Sequence, residues 1–333
     1  MTKAFNEKTV GDLFDIKSDL AIYSKPESLI MPDIASWGDN YCEEFVPMVD
    51  EGYKFNPPDL RLLMIGLLMK IPTYLYGHAG VGKTSMIEQF CARTKRPFMR
   101  VQHTVGLEES SVVGQWVVKN GETVFELGPL PYAMKHGMVY CADEYDFAEP
   151  AVLSIYQSVL EGKPLIIKEA DLENRVIKPH PNFRFCATGN TNGAGDSFGL
   201  YQGTRIQNVA NYERFGIVHR VDFLPESVER EILLTKSPIG ELKNETIKKN
   251  MLDAIMKFAK KTREKSYESN SEDTLPFGPS IRVLLNVANL GWQLGDFGEA
   301  FKIAYINRMS AVEQDAAVKV LNQYVNKDIY NKV

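Results

Sequence analysis

Gly77, Gly82, Lys83 and Thr84 stand in the stretch TYLYGHAGVGKT, residues 73–84, at the spacing G-x-x-x-x-G-K-[ST]. That spacing is the phosphate-binding P-loop. Gly77, Gly80 and Gly82 let the backbone turn tightly, so successive N–H groups can converge on a polyphosphate. Lys83 supplies a point charge for the outer phosphates, and the Thr84 hydroxyl supplies a ligand for Mg²⁺. A helix from about Ser85 to Thr94 presents its positive N-terminal end to the same phosphates. The candidate nucleotide-binding set is Gly77, Gly80, Val81, Gly82, Lys83, Thr84 and Ser85.

Two acids complete that chemistry. Met138–Ala142, MVYCA, is an unbroken apolar run that ends in Asp143 and Glu144. A parallel strand is buried on both faces, so its sequence should be continuously apolar. Acids at its carboxyl end point into the ligand crevice of an α/β sheet. Asp143 then holds Mg²⁺, directly or through water, and Glu144 polarises an attacking water. Asp146 reads as structural. A further buried strand, FRFCA at 183–187, leads to Asn190, placed where an amide could position that water.

These residues need a parallel sheet to bring them together, and the chain supplies one. Pro57-Pro58 is a break, and Asp59 is expected to cap a helix, LRLLMIGLLMK, apolar almost all round and therefore buried. The P-loop strand and helix follow, then a strand PFMRV at 97–101. Residues 106–131 read as a helical turn and a hairpin, because Asn120-Gly121 between WVV and TVF is a strong hairpin signal. That insertion could line a pore or grip a substrate, or could be a solvated surface hairpin. Pro150 opens a helix AVLSIYQSVLEG that Gly162 stops. Residues 163–182 suggest a second hairpin carrying Lys163, Lys168, Arg175, Lys178 and His180, read as a solvated basic face in preference to a pore contact. A short helix at about Gln207–Arg214 leads to the strand GIVHRVDF. After Pro225 the spacing turns helical in ESVEREILLTK, NETIKKNMLDAIMKFAKKTREK, IRVLLNVANLGWQLG and AAVKVLNQYVN. Between these, SYESNSEDTLPFGPS is polar and expected to be mobile. The first residues look like an extension with short elements, Phe45–Met48 forming an extended piece. The expected organisation is an N-terminal extension over 1–58, an α/β nucleotide-binding domain over 59–224, and an all-helical domain over 225–333.

Composition narrows the class. The 333 residues are 44% hydrophobic and 24% charged, normal for a globular chain with an ample core. A formal net charge of −5 gives no support for a nucleic-acid coat or an anionic-membrane binder. No apolar run approaches a membrane span, and the mixed-charge first residues lack a secretory h-region. Cys42, Cys91, Cys141 and Cys186 show no C-x-x-C pair and read as reduced thiols. The five histidines are scattered, with no structural zinc spacing.

Taken together, GHAGVGKT, MVYCADE and Asn190 at the sensor 1 position resemble the AAA+ ATPases. Glu213-Arg214-Phe215 resembles their arginine-finger box, with Glu where Asp is usual, and Gly278-Pro279-Ser280-Ile281-Arg282 resembles sensor 2 at the head of a lid helix. The insert with VVGQW and GPLPYAMKHG is similar to the MoxR branch. EFVPMVDEGYKF (44–55), DEYD (143–146), RVIKPHPNFRFCATGNT (175–191) and GDSFGLYQGTRIQNVANYERF (195–215) resemble the CobS family of cobaltochelatase subunits.

The resemblance implies a P-loop AAA+ α/β core with a parallel sheet and hairpin insertions, followed by a small all-helical lid. It implies ATP and Mg²⁺ as cofactors and a homo-oligomeric ring, a hexamer or similar, with ATP between neighbours. Arg282 would then sense the γ-phosphate in its own chain and Arg214 would reach the neighbour's nucleotide. It further implies a cytoplasmic motor with a partner bearing a von Willebrand A-type (vWA) domain, CobT-like, and a large subunit that holds the tetrapyrrole. Three functions compete: a motor for cobalt insertion into a corrinoid precursor, a MoxR-type chaperone acting on another protein, and a nucleic-acid-linked ATPase, which the acidic balance disfavours.

Overall fold

The computed structural model describes residues 13–14, 34–196, 200–267 and 274–325. Most of the expected N-terminal extension before residue 34, the centre of the polar stretch at 268–273, and the last eight positions lie outside the described residues. The chain divides into an α/β unit, which includes Phe55–His78 and Gly82–Val221, and a helical unit from Asp222 onward that also takes in Glu51–Lys54 and Ala79–Val81.

In the α/β unit, helix α1 (Pro57–Met69) precedes strand β1 (Thr73–Tyr76), and helix α2 (Lys83–Arg93) follows the P-loop. Asp59 does not cap α1. Pro57 and Pro58 occupy the first two helical positions, where a missing N–H costs nothing, so the helix starts earlier and Asn56 becomes its cap residue. Asp59 is buried instead, accepting from Asn56 Nδ2 at 2.6 Å and facing His219 Nε2 at 2.6 Å. Leu60, Leu63, Met64 and Leu67 of α1 are buried as expected, although Met69 is exposed. Phe45–Met48 is not a single extended piece, because Glu43–Phe45 closes a 3-10 turn.

Strand β2 (Phe98–Gln102) leads to α3 (Glu109–Val113), then to the antiparallel hairpin of β3 (Gly114–Lys119) and β4 (Glu122–Leu127). Asn120 (φ 53°) and Gly121 (φ 84°) both take positive φ, which a type I′ hairpin turn demands. Helix α4 (Pro129–His136) returns to β5 (Val139–Asp143), whose five residues are all buried. The expected single helix after Pro150 is two short ones, α5 (Pro150–Ser154) and α6 (Tyr156–Leu160). At the joint the Ile155 amide bonds Val152 O at 3.2 Å, a tighter i−3 step. A two-residue ladder, β6 (Leu165–Ile166) with β7 (Val176–Ile177), forms the second insertion. Strand β8 (Arg184–Gly189), the four-residue α7 (Val209–Tyr212) and β9 (Ile217–Arg220) complete the unit.

The main sheet runs β2-β5-β8-β1-β9, every pair parallel. All-parallel order explains the apolar run of β5 before Asp143 and the full burial of β5 and β8, where backbone carbonyls satisfy Arg184, while β2 and β9 at the edges are half-exposed. The four cysteines are free and buried.

The helical unit contains α8 (Glu226–Lys236), α9 (Glu245–Tyr267), α10 (Ile281–Leu294), α11 (Phe297–Ala304) and α12 (Ala311–Tyr324). Helix α11 is absent from the sequence reading. Gly295 (φ 65°) ends α10, and Asp296 caps α11 by accepting the Glu299 amide at 2.9 Å. Its core packs Phe258 against Phe301 at a ring-centroid distance of 4.3 Å. The buried Glu229 meets Arg263 through two bonds of 2.8 Å, and Arg263 also donates to Pro279 O at 2.7 Å and stacks over Phe223. Burial lifts the Glu229 carboxyl above the usual range, although Arg263 opposes this.

Candidate functional site

The P-loop leaves β1 at Tyr76 and turns through three glycines with positive φ, 146° at Gly77, 82° at Gly80 and 96° at Gly82. Side-chained residues rarely adopt such values. Lys83 begins α2 and is buried. Its ammonium donates to Gly77 O at 2.7 Å, His78 O at 2.9 Å and Asn190 Oδ1 at 3.2 Å. Lys83 and Asn190, far apart in sequence, therefore meet because β1 and β8 are neighbours. Val81 is buried, and Ser85 lies in the first turn of α2.

At the carboxyl end of β5, Asp143 is held on both oxygens. Oδ1 accepts from Thr84 Oγ1 at 2.6 Å and from the Thr188 hydroxyl. Oδ2 accepts Arg100 Nε at 2.7 Å and Nη2 at 2.5 Å. Burial alone would raise this carboxyl. The hydroxyls of Thr188 and Thr84 and the charge of Arg100 outweigh burial and hold it below the ordinary carboxylate value. Glu144 follows in the left-handed region at φ 55°, a sparsely populated conformation for a side-chained residue. Its amide donates to Thr188 Oγ1 at 3.2 Å, and its carboxylate accepts Gln102 Nε2 at 2.8 Å. Strand β2 thus supplies one side chain to each acid: Arg100 to Asp143 and Gln102 to Glu144.

Asp146 is structural in a specific way. Its Oδ2 accepts the Asn190 amide, the Thr191 amide and the Thr191 hydroxyl, each at 2.9 Å. Tyr74 OH donates to Thr191 O at 2.9 Å. These bonds fix the backbone that carries Asn190. Burial raises the Asp146 carboxyl despite those donors.

The other two candidate residues are Arg214 and Arg282. Arg214, just after α7, gives Nε to Glu161 Oε1 at 2.8 Å and also bonds the Ala210 carbonyl. Its acid partner is Glu161, not the sequence neighbours Glu213 or Asp222. Arg282 belongs to the helical unit, exposed in the first turn of α10.

Sequence reasoning missed Arg100, Gln102 and Thr188 as site residues. Arg100 and Gln102 alternate along β2, so both face the same side of the sheet, a period-2 signal the sequence does contain. Thr84 and Asp143 offer hard oxygens, which suit Mg²⁺, an ion commonly held by one or two protein oxygens together with substrate phosphates. Among the described residues no group of three or more His, Cys, Asp or Glu could hold a metal by itself. No described helix is long and apolar enough to cross a membrane.

Residues 72–204 match the AAA domain of the dynein-related subfamily. The aerobic cobaltochelatase subunit CobS of Sinorhizobium sp is 31% identical over 316 residues, covering 92% of this chain and 86% of that protein. Midasin of Dictyostelium discoideum is 33% identical over 166 residues, covering 49% of this chain but only 3% of midasin. Among solved structures, a RuvB variant of Thermotoga maritima covers 86% of this chain and 90% of its own, at 13% identity and a TM-score of 0.45. With the P-loop, Asp143, Glu144 and Asn190 gathered at the strand ends, the chain belongs to the AAA+ ATPases, in the family of the cobaltochelatase subunit CobS.

Proposed function

We propose that this chain is a Mg²⁺-dependent ATP-hydrolysing ring motor of CobS type, which remodels a partner complex that inserts cobalt into a corrinoid precursor. The observation that carries the hydrolytic part is the meeting, at the ends of β1, β2, β5 and β8, of two hydrogen-bonded groups, Lys83 with Asn190 and Thr84 with Asp143, Thr188, Glu144 and Gln102. Amides of Gly77–Ser85 bind the phosphates, and Lys83 exchanges its carbonyl partners for phosphate oxygens. Thr84 and Asp143 would hold Mg²⁺. When bound, Mg²⁺ neutralises charge on the outer phosphate oxygens. Glu144, released from Gln102, accepts a proton from the attacking water. Asn190, its backbone locked by Asp146, orients that water. Arg282 senses the γ-phosphate in its own chain, and Arg214 reaches the nucleotide of the neighbouring subunit once it leaves Glu161. Positioning and charge stabilisation supply most of the rate.

Likeness to CobS along nearly the whole chain supports the cobalt reading, together with a cytoplasmic ring, a hexamer or similar, a vWA-domain partner and a large tetrapyrrole-holding subunit. Glu144→Gln should retain ATP and slow single-turnover hydrolysis by ~10²–10⁴-fold. Turnover near the wild-type rate would remove Glu144 from its role. Cobalt incorporation that needs this chain, ATP and both partner subunits would support the cargo assignment. Incorporation that proceeds equally without it would overturn that assignment.

A further inference from the structure

Asp143 is already saturated before any cation reaches it. Thr84 and Thr188 occupy Oδ1, and one guanidinium, that of Arg100, places both Nε and Nη2 on Oδ2 at 2.7 and 2.5 Å. The carboxylate is only 4% exposed, whereas the Arg100 side chain is 50% exposed. A buried carboxylate needs a counter-charge, and here the protein supplies one from the edge strand β2. Register sets this up. Arg100 sits opposite Cys141, two residues before Asp143 on β5, so only a long side chain leaning along the strand can reach Oδ2.

The electrostatic consequence follows from Coulomb's law. A divalent cation approaching Asp143 alone meets a neutralised pair, and it must also displace two short hydrogen bonds. A cation that arrives on a nucleoside triphosphate brings its own anionic ligands and depends far less on the bare charge of Asp143. We propose that Arg100 is the resident counter-ion of Asp143 and withholds that carboxylate from free divalent cations, so that the metal enters only together with nucleotide. This rests on the reading of Asp143 as a metal-holding residue. Arg100 is a positioning and charge-setting residue, distinct from the groups that touch the phosphates. The bland alternative is that Arg100 only ties β2 to β5.

The test uses Mn²⁺ as probe and the full chain without nucleotide, free Mn²⁺ being read by its electron paramagnetic resonance signal. The wild-type chain should bind Mn²⁺ at this site weakly without ADP and much more tightly with it. Arg100→Gln, which keeps a donor but removes the charge, should tighten nucleotide-free Mn²⁺ binding by about tenfold or more. That is a modest share of a unit charge's effect at this range, once screening of a half-exposed guanidinium is allowed for. Arg100→Lys should behave like the wild type, and adding Asp143→Asn to Arg100→Gln should abolish the gain. Equal Mn²⁺ affinity of the wild-type chain with and without ADP would overturn the proposal without any variant. So would equal nucleotide-free affinity of folded Arg100→Gln and wild type, the outcome expected of a mere strand tie. If Asp143→Asn alone leaves Mn²⁺-ADP binding unchanged, the metal reading of Asp143 fails. If that binding falls but Arg100→Gln changes nothing, only the counter-ion proposal fails.

Discussion

The α/β unit and the helical unit bury polar groups to different ends. In the α/β unit, Lys83, Asp143, Thr188 and Thr191 lie buried around one end of the sheet, where they bond one another and the groups that would meet a nucleotide. In the helical unit the buried polar residues are Glu229, Ser237, Thr262 and Ser280. Ser237 and Thr262 bond carbonyls one helical turn back, and Glu229 holds Arg263, which holds Pro279 O. Desolvated polarity in the first unit gathers the side chains of the proposed site, beside others such as Thr94 and Arg184 that bond backbone carbonyls. In the second it fixes backbone shape, including the turn that leads to Arg282. Burial of a charge is therefore not by itself a mark of chemistry, since Lys83 and Glu229 are both buried and paired.

Substitutions should therefore separate kinetics from stability. Arg214→Ala should bind ATP and assemble, yet hydrolyse ~10³-fold or more slowly, as arginine fingers do. Mixing it with Lys83→Ala, which has an intact finger beside a disabled P-loop, should restore part of the activity. A mixture with proven subunit exchange and no gain would reduce Arg214 to its surface pair with Glu161.

Glu229→Ala should act in the opposite way. It strands Arg263 in a largely buried position and should cost about 3–5 kcal/mol, the usual penalty for breaking a buried pair. The measurement is the denaturant midpoint of the helical signal. An unchanged midpoint would erase the contrast between the units.

The third effect is smaller and depends on pH. His103 is fully buried; its Nδ1 lies 3.1 Å from Asp143 O and its Nε2 2.8 Å from Tyr156 OH. Burial pulls its pKa down from 6.5 to about 4, against hydrogen bonds that favour the charged ring. The folded protein thus binds this proton less readily than the unfolded chain. The stabilisation is present above pH 6.5 and is lost as the pH falls toward 4, by about 3 kcal/mol in all. His103→Gln should lower stability at neutral pH yet flatten the slope between those values. An equal slope in both proteins would assign the acid sensitivity elsewhere.

How much of this was legible in the sequence depends on distance along the chain. The P-loop and the Asn120-Gly121 turn are local patterns, and both stand where the residues put them. The continuous apolar run of β5 revealed a buried parallel strand, because such hydrophobicity is a property of the strand itself, and the mostly apolar FRFCA revealed β8. Arg100 escaped notice because its meaning lies in the β2–β5 register, which no local pattern encodes. The same holds for Glu161, brought to Arg214 by the packing of α6 and α7, whereas Asp146 reads as structural from the sequence without its three donors, which lie just past the carboxyl end of β8. Helix α11 was missed although Gly295-Asp296 announces a stop and a new cap. Asp59 was misread because two prolines moved the start of α1 by three residues.

Gly77 carries one more consequence. A Cβ built on it would meet Val221 O at 2.1 Å, because the Val221 amide closes onto Tyr76 O just as the chain leaves β9. The first glycine of the phosphate loop is thus demanded by the empty scaffold, with no ligand in the argument. A side chain there would push the edge of the sheet away from its neighbour before any nucleotide arrived. Loss-of-binding variants at Gly77 and at Lys83 would look alike in a nucleotide assay while differing in kind, one a defect of assembly and the other of recognition. Selection at the loop's two ends answers to two separate masters, the architecture at Gly77 and the ligand at Lys83.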